Sequence, residues 1–174
     1  MSSMEMIEEW FYEYNQDIYN FLIYYVGSTD VEDMLQEVFI RALKGIHTFR
    51  GESSPKTWLF SITRNVAVDM KRKEQRHLRK LNLFQEAAGD EIVHSRTPEE
   101  VYEIAEKRSE IINGIHSLKQ SYQDVLFLRA LKDFSVEETA EILGWRQNKV
   151  SVTYHRAIKA LRSALEKGGG VFSE

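Results

Sequence analysis

The chain has no cysteine, which excludes disulfides, thiol redox chemistry and cysteine-ligated zinc. Only two prolines, Pro55 and Pro98, and nine glycines interrupt its 174 residues, so few breaks stand in the way of long helices. No apolar run approaches the length of a membrane span, so no direct membrane insertion is expected. The N-terminus opens on acidic and aromatic residues, not on a basic segment followed by an apolar core. No secretory signal is therefore visible, and a soluble protein of the cytoplasm is expected. No alternating strand pattern and no internal repeat occur. The length suits one ordinary domain or two small ones.

Basic residues are also missing where acidic ones are dense. Residues 1–37 carry Glu5, Glu8, Glu9, Glu13, Asp17, Asp30, Glu32, Asp33 and Glu37, with no Lys or Arg. Residues 38–80 reverse the balance with Arg41, Lys44, Arg50, Lys56, Arg64, Lys71, Arg72, Lys73, Arg76, Arg79 and Lys80, opposed only by Glu52, Asp69 and Glu74. The formal net charge of −4 argues weakly against nucleic-acid binding. The segregation argues for two surfaces with two partners, the basic one suited to phosphates. The alternative is that the two blocks neutralise each other within the fold.

What is abundant is helical periodicity. Trp10, Tyr14, Ile18, Phe21, Leu22 and Tyr25 recur at three- and four-residue steps and predict a helix over Met4–Val26. So many aromatics at that spacing read as core. Thr29 with Glu32 forms a capping-box pattern ahead of a second helix through Val31, Met34, Leu35, Val38, Phe39 and Leu43, ended by Gly45. The loop Phe49 to Lys56 precedes a third helix from about Thr57, with Leu59, Ile62, Val66 and Met70 as its stripe. The composition then changes, and a linker is expected, with a short helix around Leu83 and Phe84. Thr97 and Pro98 look like the cap and first turn of a further helix, with an apolar face of Ile104, Ile111, Ile112 and Ile115. Leu118–Leu131 reads as another helix burying Val125, Leu126 and Leu128.

The segment from Asp133 to Arg162 reads as a helix-turn-helix. Ser135 and Glu138 make a capping box, Val136, Ala140 and Leu143 recur at helical spacing, and Gly144 can end the helix in the left-handed conformation. A second helix follows with Val150, Tyr154, Ala157, Leu161 and Leu165 on one face and Val152, His155, Arg156 and Lys159 on the other. Such a second helix offers base edges its N-terminal part and phosphates its charges. An ordinary helical hairpin would use the same caps and glycine.

The order of these parts resembles the extracytoplasmic-function sigma factors, small two-domain specificity subunits of bacterial RNA polymerase. Asp30-Val-Glu-Asp-Met-Leu-Gln-Glu-Val-Phe-Ile-Arg41 is similar to the family's acidic region-two helix. Phe49-Arg-Gly-Glu-Ser, Thr57-Trp58-Leu59 and Ile62-Thr-Arg-Asn-Val-Ala-Val-Asp69 are similar to its promoter-melting segment. Phe134-Ser-Val-Glu-Glu-Thr-Ala-Glu-Ile-Leu-Gly144 with Val150 and His155-Arg156-Ala157 is similar to its region four. Each motif alone is weak; three in this order, covering nearly all of the chain outside linker and tail, are specific. The chain departs from the family between Gly144 and Val150. There a proline and glycine-threonine are usual, and Trp145-Arg146-Gln147-Asn148-Lys149 stands instead, with Ser151-Val152-Thr153 after it.

The resemblance implies an all-α fold of two small helical domains. These would be a region-two domain over 1–80, a flexible linker over 81–97, a helix-turn-helix domain over 98–167 and a tail over 168–174. It implies a non-enzymatic subunit without cofactor or metal. Its partners would be core RNA polymerase, promoter DNA and an anti-sigma factor. Asp33, Gln36 and Glu37 would dock on the polymerase; Asp33 and Glu37 lie one turn apart and suit arginine partners. Asn65 would contact an extruded −10 base, with Arg50, Lys56, Arg64, Lys71 and Arg72 on phosphates. Trp58 stays open between stacking on a base and packing in the core. Arg146, Asn148, Lys149, Ser151, Val152, His155 and Arg156 would face the −35 element, Arg156 foremost because an arginine offers paired donors to guanine or phosphate. A stand-alone helix-turn-helix regulator would explain residues 100–166 and leave the first 80 unexplained. A helical enzyme finds no ligand or nucleophile spacing, and a purely structural protein does not account for the acidic-then-basic order.

Overall fold

The computed structural model describes residues 1–81 and 99–169, the side chains of 99–107 excepted. Leu83, Phe84, Thr97, Pro98 and the side chain of Ile104 thus lie outside the described residues, and so do the short helix and the cap expected there. The chain divides into two units, Met1–His94 and Ser95–Glu174. All regular secondary structure among the described residues is helical, with no strand among them.

In the first unit, α1 (Ser3–Val26), α2 (Glu32–Gly45) and α3 (Pro55–Leu81) pack on one another. α1 starts at a capping box that periodicity alone did not show. Glu5 N–H donates to Ser2 Oγ at 3.2 Å, and Ser2 N–H donates to Glu5 Oε2 at 2.9 Å. It ends at Gly27, whose φ of 80° is left-handed and whose N–H donates to the Ile23 carbonyl at 2.9 Å. Ile7, Trp10, Ile18, Phe21, Leu22 and Tyr25 are its buried face, and Tyr14 is only half-buried. Phe21 stacks on Tyr25 at 5.2 Å and meets Phe60 of α3 edge-on at 5.3 Å. The expected Thr29–Glu32 capping box does not form. α2 starts at Glu32 after Val31, without a side-chain cap. Val31 is fully buried, and its carbonyl accepts from Leu35 N–H at 2.9 Å. Burying that valine fixes where the chain enters the helix, and Thr29 is left exposed outside it.

A short 3-10 turn (Ile46–Thr48) follows α2. α3 begins at Pro55, two residues before the expected Thr57, because proline suits the first helical position. Ser54 caps it: its Oγ accepts from Thr57 N–H at 3.1 Å. Leu59 and Val66 are fully buried as expected, while Ile62 and Met70 are half-buried. Thr57, Phe60, Thr63, Ala67 and Val68 complete the buried set, the Thr63 hydroxyl donating to the Leu59 carbonyl at 2.8 Å.

In the second unit, α4 (Glu99–His116) and α7 (Gln147–Gly169) meet closely at Gly114. A Cβ there would lie 3.0 Å from Leu161 Cδ1 and 3.1 Å from Leu165 Cδ2. Ile112 and Ile115 are buried, but Ile111, expected on the same face, is 39% exposed. The helix expected over Leu118–Leu131 is in fact two segments: α5 (Gln120–Val125), then a π-helical stretch (Leu126–Leu131). Lys132 N–H reaches back five residues to the Phe127 carbonyl at 3.1 Å, the wider π spacing. Asp133 closes the stretch at φ 56°, a conformation its short polar side chain tolerates. Arg129 Nη1 then donates to the Phe134 carbonyl at 2.7 Å. Val125, Leu126 and Leu128 are fully buried, as expected. α6 (Val136–Leu143) precedes α7, which runs through Gly168 and Gly169, where a frayed tail was expected to begin.

Candidate nucleic-acid and polymerase interface

The α6–α7 pair is built as its residues suggest. Glu138 N–H donates to Ser135 Oγ at 3.0 Å, and Ser135 N–H donates to Glu138 Oε2 at 2.7 Å. Gly144 takes a φ of 68°, and Trp145 N–H donates back to the Ala140 carbonyl at 2.9 Å. This six-to-one closure turns the chain sharply into α7. Val150 and Ala157 are fully buried, while Tyr154, Leu161 and Leu165 are half-buried. That inward face fixes the outward one. Arg146, Asn148, Lys149, Ser151, Val152, His155 and Arg156 are all exposed.

Six residues line a shallow surface depression: Arg146, Asn148, Lys149, Val152, Thr153 and Arg156. Ser151 and His155 are not among them, and Thr153 was missed by sequence reasoning. Lys149 Nζ lies 4.1 Å from the Trp145 ring centroid, so the tryptophan at the turn steers that cation. Arg129, outside the expected set, sits 5.2 Å from the Tyr154 ring.

On α2, Asp33 and Gln36 are exposed, whereas Glu37 is held. Its Oε1 accepts from Arg41 Nε at 2.9 Å, and Arg41 Nη1 reaches Asp69 Oδ2 of α3 at 3.0 Å. The hydrogen bonds to Glu37 and then Asp69 raise the Arg41 pKa above its ordinary value. The same flank carries Ile40, 46% exposed, and Leu43, 36% exposed. Asp33, Gln36, Ile40 and Leu43 fall at steps of three, four and three, one stripe that is acidic at its start and apolar at its end. The apolar run expected through Leu43 does not by itself separate this stripe from the buried residues of the helix. The signal was available, since Ile40 does not share the spacing of the buried Val38 and Ala42.

The basic block is partly internal. Lys56 Nζ pairs with Asp17 Oδ2 of α1 at 2.8 Å, and Lys71 Nζ lies 4.5 Å from the Tyr25 ring. Arg64 is half-buried, while Arg50, Asn65 and Arg72 are exposed, as is the run from Lys73 to Lys80. Neutralisation between the blocks thus holds at Lys56 and Arg41 and not along the outer half of α3. Trp58 belongs to a cluster with Trp10 at 5.9 Å and Phe49 at 5.4 Å, and is half-buried. Among the described residues, no three His, Asp or Glu side chains are grouped to hold a metal ion. Nor is any helix there long and apolar enough to cross a membrane.

A capped helix pair with an apolar inner face and a cation-rich outer one is the arrangement that helix-turn-helix DNA-binding proteins use. Residues 10–77 match the Sigma-70 region 2 family, and residues 108–161 match Sigma-70, region 4. The chain is 40% identical over 155 residues to the ECF RNA polymerase sigma factor SigX of Bacillus subtilis (strain 168), covering 88% of this chain and 80% of SigX. It is 32% identical over 171 residues to the RNA polymerase sigma factor YlaC of the same strain, covering 96% of each. Its fold is similar to that of the sigma factor RpoE, solved in complex with the anti-sigma factor NepR from Bartonella quintana. That match has a TM-score of 0.69 at 20% identity and covers 92% of this chain and 97% of RpoE. The chain belongs to the extracytoplasmic-function sigma factors of RNA polymerase, transcription initiation factors that act with core polymerase and promoter DNA.

Proposed function

We propose that the chain divides the work of initiation between its two units without catalysing a reaction. Residues 1–80 dock core polymerase and open the −10 element, and 98–167 read the −35 element. Docking falls to Asp33 and Gln36, with Glu37 contributing the oxygen that Arg41 does not occupy. Ile40 and Leu43 extend that contact with apolar area. Asn65 captures an extruded −10 base, and Arg50 and Arg72 hold the strand. Lys56, Arg64 and Lys71 complete the phosphate set, Lys56 after exchanging Asp17 for a phosphate. A sigma factor hydrolyses no nucleotide. Opening must come from stacking and pairing to the exposed strand, each contact worth about 1–3 kcal/mol.

Arg146, Asn148, Lys149, Ser151, Val152, His155 and Arg156 carry upstream recognition. The observation that supports this most is that all seven, at the turn before α7 and in its first three turns, are exposed while Val150 and Ala157 of the same helix are fully buried. A partner that silences the chain is an anti-sigma factor, as NepR is for the RpoE pair named above, and the site of action is the cytoplasm. The test is reconstitution with core polymerase and mapping of transcript starts. Both promoter elements should emerge from the mapped sites, and the upstream one should lose its influence in a chain with Arg146, Asn148 and Arg156 all replaced by alanine.

A further inference from the structure

Val152 stands out on α7. It is 41% exposed, and its companions in the surface depression are Arg146, Asn148, Lys149, Thr153 and Arg156. No other aliphatic residue lies in that depression. A β-branched residue is a poorer helix former than alanine, and here its methyl groups face outward. Asn148, Val152 and Arg156 follow at steps of four, so they lie along one line of the helix. At 1.5 Å rise per residue the line spans roughly 12 Å, about three to four base-pair steps. Arg156 at one end, with Lys149 and Arg146 nearby, draws phosphates, and the Asn148 amide at the other end suits polar base edges. A branched apolar side chain at the middle has one complement in a major groove. The C5 methyl of thymine is the only apolar group that base edges present there.

We propose that Val152 is a specificity-determining residue that reads a thymine methyl group in the upstream promoter element, between the base pairs reached by Asn148 and Arg156. The proposal rests on α7 being the recognition helix and adds the chemistry of one position. It predicts a preference that hydrogen bonding cannot supply, because deoxyuridine pairs as thymine does and lacks only the methyl.

The experiment uses holoenzyme assembled from core polymerase and the full chain, on a promoter defined by transcript start mapping. Each thymine of the upstream element is replaced in turn by deoxyuridine, and binding is measured by competition. With the wild-type chain, one replacement should weaken binding about fourfold, the effect of withdrawing roughly one apolar carbon group from contact. In Val152→Ala that penalty should vanish, with thymine and deoxyuridine templates bound alike. Val152→Ile, which keeps a branched apolar tip, should retain it. Wild-type indifference to deoxyuridine at every position would overturn the proposal, as would a penalty that persists in Val152→Ala or an upstream element without thymine on either strand. A scrambled upstream element separates the two levels. If scrambling abolishes binding while deoxyuridine has no effect, α7 remains the recognition helix and only the role of Val152 falls. If scrambling has no effect, the assignment of α7 falls, and the proposal with it.

Discussion

Asp33→Arg places a cation on the exposed flank of α2, in the first turn, where the helix dipole favours an anion. The dipole term makes the substitution cost about 0.5–1 kcal/mol of folding stability. For a unit of this size that is a fall in Tm of roughly 4–8 °C at most. The expected effect on docking is larger. A charge-assisted hydrogen bond to a partner arginine is worth about 1.5–3 kcal/mol. Its loss weakens polymerase binding about 10- to 150-fold, before the added repulsion of like charges. Glu37→Gln behaves differently because Arg41 already holds one of its oxygens. Both partners of that pair are more than a third exposed, so its own contribution to stability is only about 0.3–0.5 kcal/mol. The docking loss in Glu37→Gln should accordingly be the smaller of the two. Competition between labelled wild-type chain and each variant for core polymerase, with a thermal melt of the free chain, reads both quantities. An Asp33→Arg chain that melts like wild type and competes equally well would refute the docking role of α2.

Arg156→Ala should weaken binding to the upstream element by about 1–3 kcal/mol, measured across a set of upstream sequence variants; an unchanged profile and affinity would remove Arg156 from the interface. Asn65→Ala should leave duplex promoter binding intact and slow opening, and a pre-melted template should restore it only in part. Permanganate footprinting on both templates reads this, and wild-type opening on the duplex would exclude base capture by Asn65. Gly114→Val should destabilise the second unit by about 1–3 kcal/mol, because Leu161 and Leu165 already crowd the missing Cβ. Gly114→Ala should cost far less, since only flexible leucine ends must shift and alanine favours the helix. Denaturant unfolding of both variants gives the comparison.

Much of this architecture was legible because helical spacing reports burial directly. Trp10, Ile18, Phe21, Leu22 and Tyr25 were read as core from their period and are buried. Ser135, Glu138 and Gly144 are local signals whose chemistry needs no tertiary context, and all three act as expected. The errors lie where distant packing overrides local pattern. Thr29 and Glu32 had the right types for a capping box, but burial of Val31 set the helix start instead. The π-helical stretch before Asp133 leaves no mark in periodicity, because one extra residue per turn looks like a continuous helix. At the candidate site, residue type identified the charged groups and not their neighbours. That Lys56 meets Asp17 and that Arg41 bridges Glu37 and Asp69 depends on side chains 39 and 28 positions apart, which spacing along one helix does not report.

Promoter selection on core polymerase by this chain is tested by transcription from genomic DNA by core enzyme with and without the chain, with every transcript start mapped. A set of starts should depend on the chain and share two upstream sequence elements at fixed spacing. Asp33→Arg should lose the set, and Asn65→Ala should slow it. A chain that binds duplex DNA yet leaves the pattern of core-enzyme starts unchanged would not be the subunit that selects promoters.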